Sequence, residues 1–323
     1  EEMLREGIVP PVNVYIVSSH NEELGGNGMA ATLEYCKENG ITFEVILDEG
    51  GAIVEPPLPG MNCEMCAMVA VHEKGRLKLI CTAKNESSHV SLTAFKGNPV
   101  ERMSQFIQEI TTKNIFIRRL HPQTRGLFTG LAPYCKLPMK LLLSNLWLFG
   151  GLLKAVMPMV SSQAAAMMRT SIAFTMASGS EARNVIPQEA SVVANLRFIP
   201  HQGTDESLAV ITDMAKKYGL ETAVIYKGYP SKSLDLKGEA FAIVQNTINT
   251  VFPDVCVMPY VVTGGTDARF YGEVCDSCVR FSPVLYGPEQ MAGMHGLNEN
   301  IEVNCLPPAV DYYKAIVKAQ EQR

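Results

Sequence analysis

Short apolar runs alternate with punctuated polar stretches along the chain, and the texture of the runs changes twice. VNVYIV (12–17) reads as a buried strand, and Met29, Leu33 and Cys36 then recur at helical spacing, with Gly40 closing the helix after a lysine in its last turn. ITFEVILDEGG rises as a second buried strand. Strand, helix, strand within about forty residues predicts a parallel βαβ unit, whose ligands sit beyond the carboxyl ends of the strands.

EPPLPG (55–60) interrupts this pattern, and alternating strands follow. CAMVAVH and RLKLICTAK, joined by EKG, read as a hairpin; a helix follows from about Pro99 to Ile110. The strands SIAFTMA and ASVVANLRFI, the helix TDESLAVITDMAKKYGL and the strand ETAVIYK complete an antiparallel sheet with helices on one face. From about Tyr229 the α/β texture resumes with a helix carrying Phe241, Val244 and Ile248, the strand CVMPYVV, the loop TGGTDAR, the strand CVRFSPV and a last helix near Pro307–Ala319. The predicted fold is α/β: a catalytic domain with a mostly parallel mixed sheet (residues 1–62 and 229–323), interrupted by an inserted α+β lid or dimerisation domain (63–228).

The lid carries an apolar insertion at about 120–168. Its core, LLLSNLWLFGGLLKAVMPMV, has the length of a membrane span, but Ser144, Asn145, Lys154, Pro158 and a double glycine argue for a helical hairpin packed on the protein or over a pocket.

Composition refines this picture. The 323 residues are 47% hydrophobic, enough for a large core and more readily two domains than one. A net charge of only −5, without blocks of like charge, leaves no footprint for nucleic acid or an anionic membrane. Nine cysteines, an odd count in a chain of no disulfide-rich character, predict free buried thiols in a reducing, cytoplasmic compartment.

SHNEELGG places Glu22 and Glu23 where the first strand ends. Side chains alternate across a strand, so adjacent carboxylates converge only if the backbone bends, as the following glycines permit. Glu22, Glu23, Asp48 and His295 each follow or end an apolar run among small residues, and such ligands suit zinc, cobalt or manganese. Of an adjacent acid pair, one carboxylate can bind a metal while the other takes a proton from metal-bound water. The loop TGGTDAR offers backbone N–H groups at Gly265 and Thr266, together with Arg269, to an anion; Asn184 and Arg197 can each reach a carboxylate. Cys63-x-x-Cys66 and Cys275-x-x-Cys278 make a shared zinc site only if the fold brings Cys63 and Cys275 together; Cys66 and Cys278 otherwise read as the starts of apolar strands.

SHNEELGG, LDEGG, EKG, SSHVS, NVIP followed by NLRF, GGTDARFY and MHGLNE, in that order, resemble the zinc metallopeptidase family of aminoacylase, carboxypeptidase G and Gly-X carboxypeptidase. The insertion is similar to the carboxypeptidase S-like and N-acyl-amino-acid hydrolase branch. The resemblance implies hydrolysis of an amide bond next to a free carboxylate, in a peptide or N-acyl amino acid, on two zinc ions. It makes Glu22 the general base, and Glu23, Asp48 and His295 metal ligands. His89 of the lid becomes an oxyanion stabiliser, acting within the chain or in the site of a homodimer partner. Asn184, Arg197 and the backbone at Gly265 and Thr266 become substrate contacts.

Asn21 and Ser88 depart mildly from the family pattern. The family's amino-terminal histidine, the aspartate two residues on and the bridging aspartate have no counterpart in this sequence, and EEMLREGIVPP reads as the end of a helix entering a strand. On this reading the chain is a truncated piece with an incomplete site, inactive or nearly so. The alternative is a non-catalytic fragment or homologue acting as a dimerisation module.

Overall fold

A computed structural model of the chain describes all residues except 21, 23–26, 58–60, 86, 87, 90–96, 114, 161–164, 229 and 323. Two compact units emerge: Glu1–Glu73, Pro122–Gly150 and Ser231–Arg323 form the first, Lys74–His121 and Gly151–Pro230 the second. The class is α/β, with a mixed sheet in the first unit and a separate antiparallel sheet in the second.

The first unit is organised around β3 (Met65–Glu73). One edge of β3 pairs in parallel with β10 (Val255–Val262), while β11 (Cys278–Arg280) and β2 (Ile53–Val54) pair antiparallel with it. β1 (Ile46–Asp48) extends the sheet beyond β11 and β12 (Leu285–Tyr286) beyond β2, both in parallel. β3 is buried on both faces, which explains its continuous rather than alternating apolar sequence. Ala67, Val69 and Val71 pack with Phe241, Val244 and Ile248 of the helix Glu239–Val251 and with Tyr312 and Ile316 of the helix Leu306–Lys318.

The second unit is a four-stranded antiparallel sheet in the order β6 (Ser171–Ser178), β8 (Glu189–Phe198), β4 (Gly75–Lys84), β9 (Leu220–Lys227). Here the period is two. Leu77, Leu79, Cys81 and Ala83 of β4, with Ala190, Val192, Ala194 and Leu196 of β8, pack against Met103, Phe106 and Ile110 of the helix Pro99–Thr112 and Ile211 and Ala215 of the helix Thr204–Lys217. Asn98 caps the first of these helices, its side chain accepting from the Val100 N–H at 3.0 Å. A short ribbon of β5 (Ser88–His89) and β7 (Val185–Ile186) completes the unit.

Several expectations are corrected. VNVYIV belongs to no strand, and Val14, Tyr15 and Ile16 are exposed, Ile16 at 93%, so the expected first strand and its βαβ unit do not form among the described residues. CAMVAVH and RLKLICTAK are not a hairpin: β3 and β4 lie in different sheets, and the supposed polar turn between them buries Glu73 and Lys74. Gly75, the first residue of β4, packs against a ring: a Cβ at that position would sit 2.0 Å from Phe198. The boundary placed at residue 62 therefore falls too early, since β3 pairs along its whole length with β10. The apolar insertion also divides, residues 122–150 belonging to the first unit. Its core forms the helices Met139–Ser144 and Leu146–Val160, and no helix among the described residues is long and apolar enough to cross a membrane.

Candidate active site

In the first unit, three separated motifs meet at the carboxyl end of β1. Asp48 closes that strand, and both its oxygens are engaged: Oδ1 accepts the Glu49 N–H at 2.8 Å and Oδ2 the Ala268 N–H at 2.5 Å. A carboxylate has about four acceptor positions, so these bonds orient the group and leave capacity for a cation. Ala268 lies in the 3-10 turn Asp267–Glu273 that ends TGGTDAR. Asp267 in turn accepts the Ser19 hydroxyl at 2.9 Å, which ties SHNEELGG to the same loop. Burial, followed by the nearby Asp48 carboxylate, raises the pKa of Asp267, while the Ser19 bond opposes the rise.

The backbone around Asp48 explains the glycines of LDEGG. Gly50 has φ +101°, and a Cβ on Gly51 would lie 2.2 Å from the Met68 carbonyl oxygen and 2.6 Å from that of Arg280. The Tyr260 hydroxyl donates to the Gly50 carbonyl oxygen.

Arg269 stands between two acids. Its Nη1 is 4.0 Å from Glu22 Oε1 and 3.6 Å from Glu73 Oε1, and its guanidinium lies over the Phe270 ring at 4.7 Å. Thr266, read as a substrate contact, is buried: its hydroxyl donates to Glu73 Oε2 at 3.2 Å and accepts from Arg280 Nε at 2.9 Å. Sequence reasoning missed Glu73 and Arg280. An arginine inside the apolar run CVRFSPV was the available signal, because a buried guanidinium requires a carboxylate partner.

His295 is exposed at φ +57°, in a turn closed by the Gly296 N–H donating to the Gly293 carbonyl at 2.8 Å. Glu23 lies outside the described residues. Among those described, Glu22, Asp48 and His295 do not form part of any three-ligand group within 4.8 Å. Asp48 and His295 have the donor chemistry that zinc takes, but they do not by themselves close a site.

The remaining predicted residues lie in the second unit. His89 pairs with Val185 across the β5–β7 ribbon, so the exposed His89 and the exposed Asn184 sit at one place on that unit. Arg197 lies on β8 opposite Arg76 and Ser171. Cys275 and Cys278 remain near each other, whereas Cys63 and Cys66 gather with Cys256, so the two CxxC pairs form no shared site.

The first unit is a mixed sheet with Asp48 at the end of a strand, and the second is a separate antiparallel α+β unit. The model of peptidase family M20/M25/M40 matches residues 1–319, and the chain belongs to that family. It is 30% identical over 329 residues to the probable carboxypeptidase S-like 2 of Dictyostelium discoideum, covering 100% of this chain and 62% of that protein. It is 28% identical over 324 residues to the N-fatty-acyl-amino acid synthase/hydrolase PM20D1 of Xenopus tropicalis, with 98% and 62% covered. Human carnosine dipeptidase 1 shares the fold, with TM-score 0.64 at 14% identity, covering 99% of this chain and 69% of that one. The chain thus spans about 62% of the length of these two curated relatives.

Proposed function

We propose that this chain carries part of the catalytic centre of a zinc-dependent hydrolase that cleaves an amide bond next to a free carboxylate, in a peptide or an N-acyl amino acid. The observation that carries the reading is the convergence of SHNEELGG, LDEGG and GGTDAR through the Ser19–Asp267, Asp48–Ala268 and Arg269–Glu22 contacts. Zinc, when bound, polarises the scissile carbonyl and acidifies water. Asp48, His295 and Glu23 hold the metal in this reading, with cobalt or manganese as substitutes. Glu22 takes the proton from the attacking water, and Arg269, 4.0 Å away, orients it.

His89 stabilises the oxyanion in this reading, within the chain or in the site of a second copy, and Asn184, Arg197 and the backbone at Gly265 and Thr266 hold the substrate's carboxylate or the oxyanion. The helix Leu146–Val160 exposes Trp147, Leu148, Leu152 and Met159, which favours long apolar acyl or side chains over charged ones. A second copy of the chain is the expected partner. The edge strand β9 exposes Val224, Ile225 and Tyr226, which supports pairing there.

The test is hydrolysis of N-acyl amino acids of graded acyl length by the gene product as expressed. Glu22→Gln is expected to lower kcat by about 100-fold or more with zinc content unchanged. Trp147→Ser is expected to impair long acyl chains selectively. Equal kcat for Glu22→Gln and the parent refutes the assignment of the base, and equal losses on short and long chains refute the substrate class.

A further inference from the structure

Within the first unit, Cys63, Cys66 and Cys256 bring their sulfurs within 4.8 Å of one another, the Cys63 and Cys66 sulfurs being 3.5 Å apart. The fold produces this cluster directly. Cys66 and Cys256 are register partners in the parallel β3–β10 pair, so they lie side by side on one face of the sheet. Cys63 enters from the bend just before β3. A fourth thiol stands alongside: Met61 bridges to Cys135, the Asn62 N–H donates to the Tyr134 carbonyl at 2.6 Å, and Cys135 is buried near Cys63.

We infer that Cys63, Cys66 and Cys256 form a three-thiolate structural zinc site separate from the catalytic carboxylates; the Cys135 sulfur lies outside their 4.8 Å group and would have to move in to supply a fourth ligand. Tetrahedral zinc with Zn–S bonds of ~2.3 Å sets its sulfurs roughly 3.8 Å apart, so small side-chain rotations bring this cluster to that spacing. Soft thiolate donors select zinc over the hard cations that carboxylates hold. A redox CxxC pair fits less well, because that chemistry needs an accessible thiolate. Here Cys66 is wholly buried and Cys256 is buried as well. A divalent ion displaces the thiol protons, binding with proton release. The ion would pin the start of β3 to β10 and to the turn Ala132–Tyr134, which are otherwise held there by backbone pairing and packing.

The experiment is a Co²⁺ titration of the reduced chain, read by the near-ultraviolet thiolate-to-cobalt charge-transfer band; carboxylate and imidazole ligands give no such band. The expected result is one band-forming equivalent per chain, with Cys63→Ser and Cys256→Ser each weakening binding roughly tenfold or more. Cys305→Ala, at a buried cysteine outside the cluster, is expected to leave the band unchanged. If the serine variants fail to fold, zinc-edge X-ray absorption of the unsubstituted chain decides, a sulfur shell at about 2.3 Å being expected. No band, a band that survives both serine substitutions, or a zinc shell of only nitrogen and oxygen overturns the inference.

Discussion

Glu73 and Arg280 form an ion pair at 3.4 Å with side-chain exposures of 2% and 0%. Thr266 bridges them, and Glu73 also faces Arg269, so one buried acid joins β3, β11 and the TGGTDAR loop. A buried pair contributes little relative to an apolar replacement, yet breaking it on one side leaves an uncompensated charge in the interior. Because Glu73 keeps Arg269 at 3.6 Å, Arg280→Met is expected to destabilise the chain by about 1–3 kcal/mol in chemical denaturation. The double variant Glu73→Met/Arg280→Met should recover much of that loss. A double variant no more stable than the single one would contradict the assignment of Glu73 as the paired group.

Gly51 is expected to tolerate no side chain, because its Cβ would press on two backbone carbonyls rather than on movable side-chain ends. Gly51→Ala should cost about 1–3 kcal/mol and shift β1, carrying Asp48 with it. Gly151 provides the contrast: it lies within the helix Leu146–Val160 with nothing inside 4 Å of its Cβ position. Gly151→Ala should stabilise by about 0.4–1 kcal/mol. Thermal melts of the two variants moving in the same direction would contradict this reading of LDEGG.

Glu109 links the helices Pro99–Thr112 and Thr204–Lys217 of the second unit. Hydrogen bonds from Lys113, then Lys217 and Tyr218, lower its pKa from 4.5 to about 2. Because the folded value is the depressed one, the stabilisation is fully present above pH 4.5 and is lost as pH falls towards 2. Urea midpoints of the parent and Glu109→Gln should differ most near neutral pH and converge through that acidic window. A gap that stays constant down to the bottom of the window would show that the charge is not what stabilises.

Much of the fold was legible in the sequence, and the failures have physical causes. Strands of period two with one buried face, such as β4 and β8, announce themselves through alternation, as does the helix Pro99–Thr112 through Met103, Ile107 and Ile110, of which Met103 and Ile110 are buried. β3 does not: a strand buried on both faces next to an alternating one looks like half of a hairpin, and only its parallel pairing with Val255–Val262, far along the chain, reveals its sheet. Of the candidate site, the place of Asp48 at the end of β1 was readable because LDEGG needs special backbone there, Gly50 taking φ +101°. Glu73 was not, since a Glu-Lys-Gly sequence resembles a solvated turn until Arg280 and Thr266 are seen around it.

The outer strand β9 gives the last prediction. Its residues after Leu220 are mostly exposed, including Val224, Ile225 and Tyr226, and among the described residues only β4 pairs with it. An edge that presents unpaired backbone groups beside apolar side chains is a template for a second strand unless a charge or a proline blocks it. Lys227 is the basic residue at its end, already paired with Asp205 at 2.6 Å, which leaves the apolar stretch unguarded. If a second copy docks there, Ile225→Lys should convert a dimer to a monomer in sedimentation velocity while leaving the circular dichroism spectrum unchanged. A parent chain that is monomeric at high micromolar concentration, or a variant that remains dimeric, would move the partner surface away from β9.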